Sequence, residues 1–230
     1  MEVVILCGGK GTRLSEYTQS IPKPMIEVGK KPILMHLMEF YASYGHKEFI
    51  LCLGYKGEKI REFFKNNKDW KIEFADTGED SNKAERLTKV KDRIKGNTFL
   101  LSYGDDLCDV NLDELIKFHN EKNKIVTLTA VPLMSPFGVI EFNKSNEVIS
   151  FKEKPKLGHF MNGGFFVMKK DIFNYLKPGY DLEKEAFEEL AKKKQIAAFR
   201  HEGFWKSMNT LKDAIELNEM YEGGNAQWIR

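Results

Sequence analysis

The stretch V-V-I-L-C-G-G-K-G-T-R-L, Val3 to Leu14, turns from an apolar run into a loop built for anions. Gly8, Gly9 and Gly11 let the backbone bend tightly and bring N–H groups close to a ligand's oxygens. Arg13 adds a planar, permanently charged fork that suits phosphate. Ten residues on, Lys23 is held between Pro22 and Pro24, which stiffen its backbone. A lysine ordered in advance loses less freedom when it meets a phosphate. Two well-known phosphate loops are excluded. G-x-x-x-x-G-K-[ST] has no match around Lys10. G-x-G-x-x-G lacks its third glycine, because Leu14 stands there.

These residues need a frame, and the chain supplies one. Short apolar runs, Val3 to Leu6, Phe49 to Leu53, Thr98 to Tyr103 and Ile125 to Val131, read as buried strands. Amphipathic segments lie between them: Ile33 to Tyr44, stopped by Gly45, then Glu58 to Lys65, Ala84 to Ile94 and Leu112 to Asn120. Lys71 to Ala75 alternates like an edge strand. That order predicts an α/β fold, Rossmann-like, with a mixed, mostly parallel central sheet flanked by helices. In such sheets ligands sit at the carboxyl ends of strands, where the loop after Leu6 and the Gly104-Asp105-Asp106 stretch after Tyr103 both fall. Beyond about residue 135, Val139 to Phe142, Val148 to Phe151 and Gly164 to Met168 are closely spaced. They predict a small antiparallel subregion on or beside the main sheet. Helices return near Leu182 to Lys194 and Thr210 to Tyr221. We expect one domain over 1–230, with a nucleotide half to about 135 and a substrate half from about 136.

Composition narrows the field further. The 230 residues are 42% hydrophobic and 30% charged, ordinary for a globular protein with a real core. Thirty-six basic residues against 34 acidic give a net charge of +2, so nothing favours nucleic acid or a membrane surface. Cys7, Cys52 and Cys108 are too few and scattered for a disulfide framework and lack C-x-x-C spacing for zinc. Met1 leads straight into a strand and no apolar run reaches membrane length, so a cytoplasmic protein is expected. His36 reads as a packed core residue, and His119, His159 and His201 have no triad or metal spacing. Phe165, Phe166, Phe204 and Trp205 read as core and pocket wall.

The loop with its later P-K-P resembles the signature of the sugar-phosphate nucleotidyltransferases. Further stretches resemble the glucose-1-phosphate cytidylyltransferase branch, in order: Pro22 to Leu34, Gly54 to Phe64, Tyr103 to Asp106, F-K-E-K-P-K (Phe151 to Lys156), M-N-G-G-F-F-V (Met161 to Val167), E-G-F-W-K-S-M-N-T-L-K-D (Glu202 to Asp213) and G-N-A-Q-W (Gly224 to Trp228). The resemblance implies an enzyme that joins CTP and a sugar 1-phosphate into a CDP-sugar and pyrophosphate, by in-line attack at the α-phosphorus. Such chemistry needs positioning and charge neutralisation more than an acid or base. It also implies roles. Leu6, Cys7, Gly8, Gly9, Lys10, Gly11, Thr12 and Arg13 would cradle the nucleotide phosphates, and Lys23 would sit at the reacting centre. Ser81, Arg86 and Gly104 would line the nucleotide. Asp105 would hold Mg²⁺, a hard ion suited to carboxylate oxygen. Glu153, Lys154, Asn162 and Gly163 would receive the acceptor. Arg13, Lys23, Asp105 and Lys154 are the catalytic set, and a homo-oligomer is implied.

Three departures from the family pattern are visible. The segment between the helix near Phe64 and the strand at Lys71 is shorter, which bears on subunit contacts and the site's rim. T-G-G-R has become K-A-E-R, Lys83 to Arg86. The aspartate that shares the metal is Asn209, which predicts weaker metal binding or recruitment of Asp106. Rival readings are a cytidylyltransferase for another phosphate or phosphonate, a non-catalytic nucleotide or nucleotide-sugar binder and, more remotely, a dehydrogenase.

Overall fold

The computed structural model describes residues 1–230, apart from the side chains of residues 15 and 16. Its strands are β1 (Val3–Leu6), β2 (Glu27–Val28), β3 (Lys31–Pro32), β4 (Glu48–Leu53), β5 (Lys71–Asp76), β6 (Thr98–Tyr103), β7 (Asp106–Cys108), β8 (Val126–Met134), β9 (Val139–Phe142), β10 (Val148–Lys152), β11 (Lys156–Lys169), β12 (Ile196–Arg200) and β13 (Trp205–Ser207). The α-helices are α1 (Ser15–Thr18), α2 (Ile33–Ser43), α3 (Gly57–Phe64), α4 (Lys83–Lys89), α5 (Leu112–Lys122), α6 (Glu188–Lys192) and α7 (Leu211–Glu222). No helix among the described residues is long and apolar enough to cross a membrane.

Seven strands form the central sheet in the order β12-β8-β11-β6-β1-β4-β5. The β6-β1-β4-β5 run is parallel throughout, as is the β12-β8 pair. Only β11 runs against its neighbours, β6 and β8. The expected α/β architecture is therefore present, with an edge strand at β5. The placing of Gly164 to Met168 differs from expectation. Those residues lie deep inside the main sheet, because β11 inserts between β6 and β8. The continuous apolar run G-F-F-V-M is the cause, since a strand buried on both faces has no polar side to alternate. The hairpin reading holds for β9 and β10, which form a separate two-stranded ribbon.

Alternation along β1 divides the core. Val3 and Ile5 face a layer with α2, α5 and α7, while Val4 and Leu6 face one with α4 and α6. Each fully buried side chain of this size contributes roughly 1.5–3 kcal/mol. From β1 the chain steps to β4 and β5 on one side, then returns to β6 on the other. That reversal opens a crevice outside the carboxyl ends of β1 and β6, the usual place for a ligand in an open sheet. The glycine loop leaves β1 there, and Gly104-Asp105-Asp106 leaves β6 beside it.

Gly164 shows how tightly this junction is packed. Its φ is +76°, and an added Cβ would come 2.1 Å from the Asp106 carboxylate. Gly158 on the same strand has open space around it. Gly164→Ala is expected to cost ~2 kcal/mol or more in urea unfolding. Gly158→Ala should stay within ~0.5 kcal/mol, and equal effects at the two positions would contradict this packing.

Candidate functional site

Lys23 is the centre of the crevice. It begins a 3₁₀ turn, Lys23–Met25, entered from extended Pro22 (φ −71°, ψ 149°). Its ammonium donates to Asp105 Oδ2 and, at 3.0 Å, to Asn209 Oδ1. Three separate stretches meet at this point: the P-K-P turn, the loop after β6 and the segment between β13 and α7. The side chains are 13% and 23% exposed for Lys23 and Asp105, so solvent screens the pair only in part. Asn209 is held in turn, since its Nδ2 donates to Ser207 Oγ at 2.8 Å. Asp106 is placed differently. It is buried on β7 against Gly164, and burial, with Asp105 nearby, pushes its carboxyl well above the ordinary range. Asn209, not Asp106, shares the cationic centre with Asp105.

The cleft around this centre holds about 720 Å³. Leu6, Cys7, Gly8, Gly9, Lys10, Gly11, Thr12 and Arg13 line one wall, and Ser81, Arg86, Gly104, Asp105 and Asn162 also face it. The glycine loop is fastened from beneath. Arg86 is 4% exposed. It donates to the carbonyls of Leu53, Gly78, Gly8 and Glu79 and to Thr77 Oγ1, all between 2.7 and 3.1 Å. A Cβ on Gly8 would lie 2.2 Å from that guanidinium, so only glycine fits above it. The terminal nitrogens of Arg86 are thus engaged by the protein's own backbone. Ser81 accepts from Lys89 Nζ at 2.8 Å, and Lys10 reaches across the mouth to Asp80 at 2.7 Å. The Cys7 thiol is raised by burial and is no nucleophile at neutral pH.

On the opposite wall, Asn162, Gly163 and Trp205 are residues the sequence pointed to, whereas the Lys83–Tyr103–Glu183 cluster is not. Tyr103 OH and Lys83 Nζ both donate to Glu183, and Lys83 lies 4.6 Å from the Tyr103 ring centre. Asn162 Nδ2 donates to Tyr103 OH at 3.4 Å. Trp205 Nε1 donates to the Gly163 carbonyl at 2.6 Å, which places Gly163 behind the indole. A second hollow of about 460 Å³ shares Trp205, Ser207 and Asn209 with the main cleft and extends it towards Lys156, Met161 and Glu202. Glu153 and Lys154 are not brought in. Both are more than half exposed, 3.9 Å apart, at the foot of the β9–β10 ribbon. Neither lines the cleft or its extension.

A nucleotidyl transferase family model matches residues 2–223. A "Probable glucose-1-phosphate cytidylyltransferase" of Bacillus subtilis is 42% identical, with 99% of each chain covered. The glucose-1-phosphate cytidylyltransferase of Salmonella typhimurium is 38% identical, over 99% of this chain and 98% of its own. The Bacillus alignment spans 252 positions against 230 residues here, so that relative carries at least 22 residues that this chain lacks. In three dimensions, HddC from Yersinia pseudotuberculosis complexed with GMP-PN superposes with a TM-score of 0.74. It is 23% identical, and 96% of this chain and 99% of that one are covered. At that identity the likeness is one of fold.

Removing the guanidinium of Arg86 would strand buried carbonyls from the glycine loop and from the ends of β4 and β5. Arg86→Met is expected to cost ~3 kcal/mol or more in denaturant unfolding, from several lost charge-assisted bonds. A loss below ~1 kcal/mol would show that the clamp is not structural.

Proposed function

Because the chain belongs to the nucleotidyl transferase family, we propose that it joins CTP and α-D-glucose 1-phosphate to give CDP-glucose and pyrophosphate. One observation carries this: the glycine loop, Arg13, Lys23 and Asp105 all line one cleft at the sheet's switch point. A relative whose printed name is glucose-1-phosphate cytidylyltransferase aligns over nearly the whole chain at 38% identity, which supports the choice of CTP and glucose. The reaction belongs to the supply of nucleotide sugars for surface polysaccharide. The acting form is a cytoplasmic homo-oligomer. Residues 1–135 serve the nucleotide and 136–230 the acceptor.

In this mechanism the glycine loop N–H groups take the triphosphate oxygens, with Arg13 at the lip beside the departing pyrophosphate. Lys23 holds the α-phosphate. A phosphate oxygen of the sugar phosphate forms a bond to the α-phosphorus while the bond to the bridging oxygen of pyrophosphate breaks, so no external proton is needed. The acceptor enters from the hollow beside Trp205, where Asn162 faces the cleft. Mg²⁺ fits this node: Asp105 Oδ2 and Asn209 Oδ1 already converge on one positive centre, and both are hard oxygens. When bound, the ion neutralises phosphate charge. Asp105 and Asn209 would hold it.

A second reading keeps the chemistry and changes the acceptor to another small phosphate or phosphonate. The outward placing of Glu153 and Lys154 and the missing 22 or more residues favour it.

Pyrophosphate release measured over four nucleoside triphosphates, crossed with a panel of phosphorylated acceptors, tests both. Turnover is expected with CTP and glucose 1-phosphate. Turnover with CTP and only non-sugar acceptors would move the case to the second reading, and none with any pair would leave a binding protein. Asn209→Asp adds a charge to the ion's ligands and should lower the half-saturating Mg²⁺ concentration roughly tenfold. An unchanged Mg²⁺ dependence would remove Asn209 from the metal site.

A further inference from the structure

Four side chains on the wall opposite the glycine loop form one hydrogen-bonded chain. Lys83 opens α4, and Glu183 stands in the segment Leu182–Phe187. Asn82, beside Lys83, crosses to the same neighbourhood, since its Nδ2 donates to the Tyr180 carbonyl at 3.0 Å. Lys83 Nζ and Tyr103 OH donate to the same carboxylate oxygen, Glu183 Oε1. Asn162 Nδ2 then donates to Tyr103 OH at 3.4 Å, and Asn162 Oδ1 accepts from the Gly164 N–H at 3.0 Å.

The direction of this chain is settled at both ends. An ammonium only donates and a carboxylate only accepts, so the single phenolic proton of Tyr103 is committed to Glu183. Burial, and then the facing carboxylate, raise that phenol well above the ordinary tyrosine range, so it keeps its proton. Tyr103 therefore meets Asn162 with lone pairs and takes an N–H. At the far end the backbone N–H of Gly164 needs an acceptor, and only the amide oxygen of Asn162 can serve. Both demands select the same orientation of the amide. Its Nδ2 has a second N–H, which has no partner among the described residues, and Asn162 lines the cleft.

We propose that Lys83 acts through Glu183 and Tyr103 to fix the Asn162 amide, so that its free N–H meets a hydroxyl oxygen of the acceptor. Lys83, Glu183 and Tyr103 are then positioning residues for the acceptor. The inference rests on the proposed transfer to a sugar phosphate and says how that acceptor is held. Lys83 matters because the Glu183 side chain is 30% exposed and would otherwise turn to solvent. Tyr103 would then be free to offer its proton to Asn162, which would swing Nδ2 against the Gly164 N–H. Lys83 also lies 4.6 Å from the Tyr103 ring centre, which holds the two side chains together. The threonine of the family's T-G-G-R has no charge and a shorter reach, so this anchor belongs to the K-A-E-R of this chain.

Pyrophosphate release tests the relay, with CTP and the acceptor that the wild type turns over best. Tyr103→Phe keeps the ring that packs against Phe166 at 5.5 Å and removes only the hydroxyl. Tyr103→Phe and Lys83→Met should each raise the acceptor KM roughly five- to tenfold, with kcat and the CTP KM unchanged. Lys83→Arg, which can still bond Glu183, should keep the acceptor KM near that of the wild type. Asn162→Ala should raise it at least as much as Tyr103→Phe, and joining the two changes should add nothing further. Effects that multiply would overturn the relay, because Tyr103 would then act without Asn162. A raised CTP KM in Lys83→Met would also overturn it, by showing that the lysine serves the nucleotide. Absence of wild-type turnover with every acceptor would overturn the proposed function and this contact together. Normal wild-type turnover with an unchanged acceptor KM in Tyr103→Phe would overturn the relay alone.

Discussion

A single ammonium group ties the cleft together. Lys23 is drawn towards Asp105 and Asn209, and these three residues come from parts of the chain far apart in sequence. Removing one partner would leave a partly buried charge uncompensated, which is costly. The P-K-P turn sets the lysine's backbone before any ligand arrives. Strand order does the rest: the reversal at β1 and β6 brings the glycine loop and Gly104-Asp105-Asp106 to the same side of the sheet. The chemistry proposed for this site needs no general acid or base. It needs fixed positive charge and fixed geometry, and the fold provides both through this node.

Beneath the node, Arg86 plays a similar part for the loop. A buried guanidinium is tolerated here because backbone carbonyls surround its terminal nitrogens. It fastens Gly8 to the ends of β4 and β5. That gives a physical reason for the arginine at the end of K-A-E-R even though the glycines of the family pattern are absent.

Local pattern made much of this visible in the sequence. Apolar runs of four to seven residues marked the strands, and the glycines with Pro22-Lys23-Pro24 marked the phosphate side of the cleft. Long-range pairings were not visible. Nothing in Gly164 to Met168 shows that it inserts between β6 and β8, because a doubly buried strand has no alternation to reveal its neighbours. Lys83, Tyr103 and Glu183 are spread over 100 residues and meet only through the packing of α4 against the π-helical segment Leu182–Phe187. Asp106 read as a spare metal ligand next to Asp105; on β7 it is buried against Gly164 at the floor of the same cleft, a packing that its position in the sequence does not reveal. The exposed placing of Glu153 and Lys154 depends on where the ribbon points, which spacing alone does not encode.

The central claim is that Lys23 and Asp105 act as one unit on the reacting phosphate. A double-mutant cycle on the rate of pyrophosphate release, with Lys23→Met, Asp105→Asn and both together, tests it most directly. Each single change should slow the step by roughly 10²-fold or more. The double variant should be about as slow as the worse single one, because breaking either half disables the unit. A double variant slowed by the product of the two single effects would show that the residues act independently, and would contradict the account.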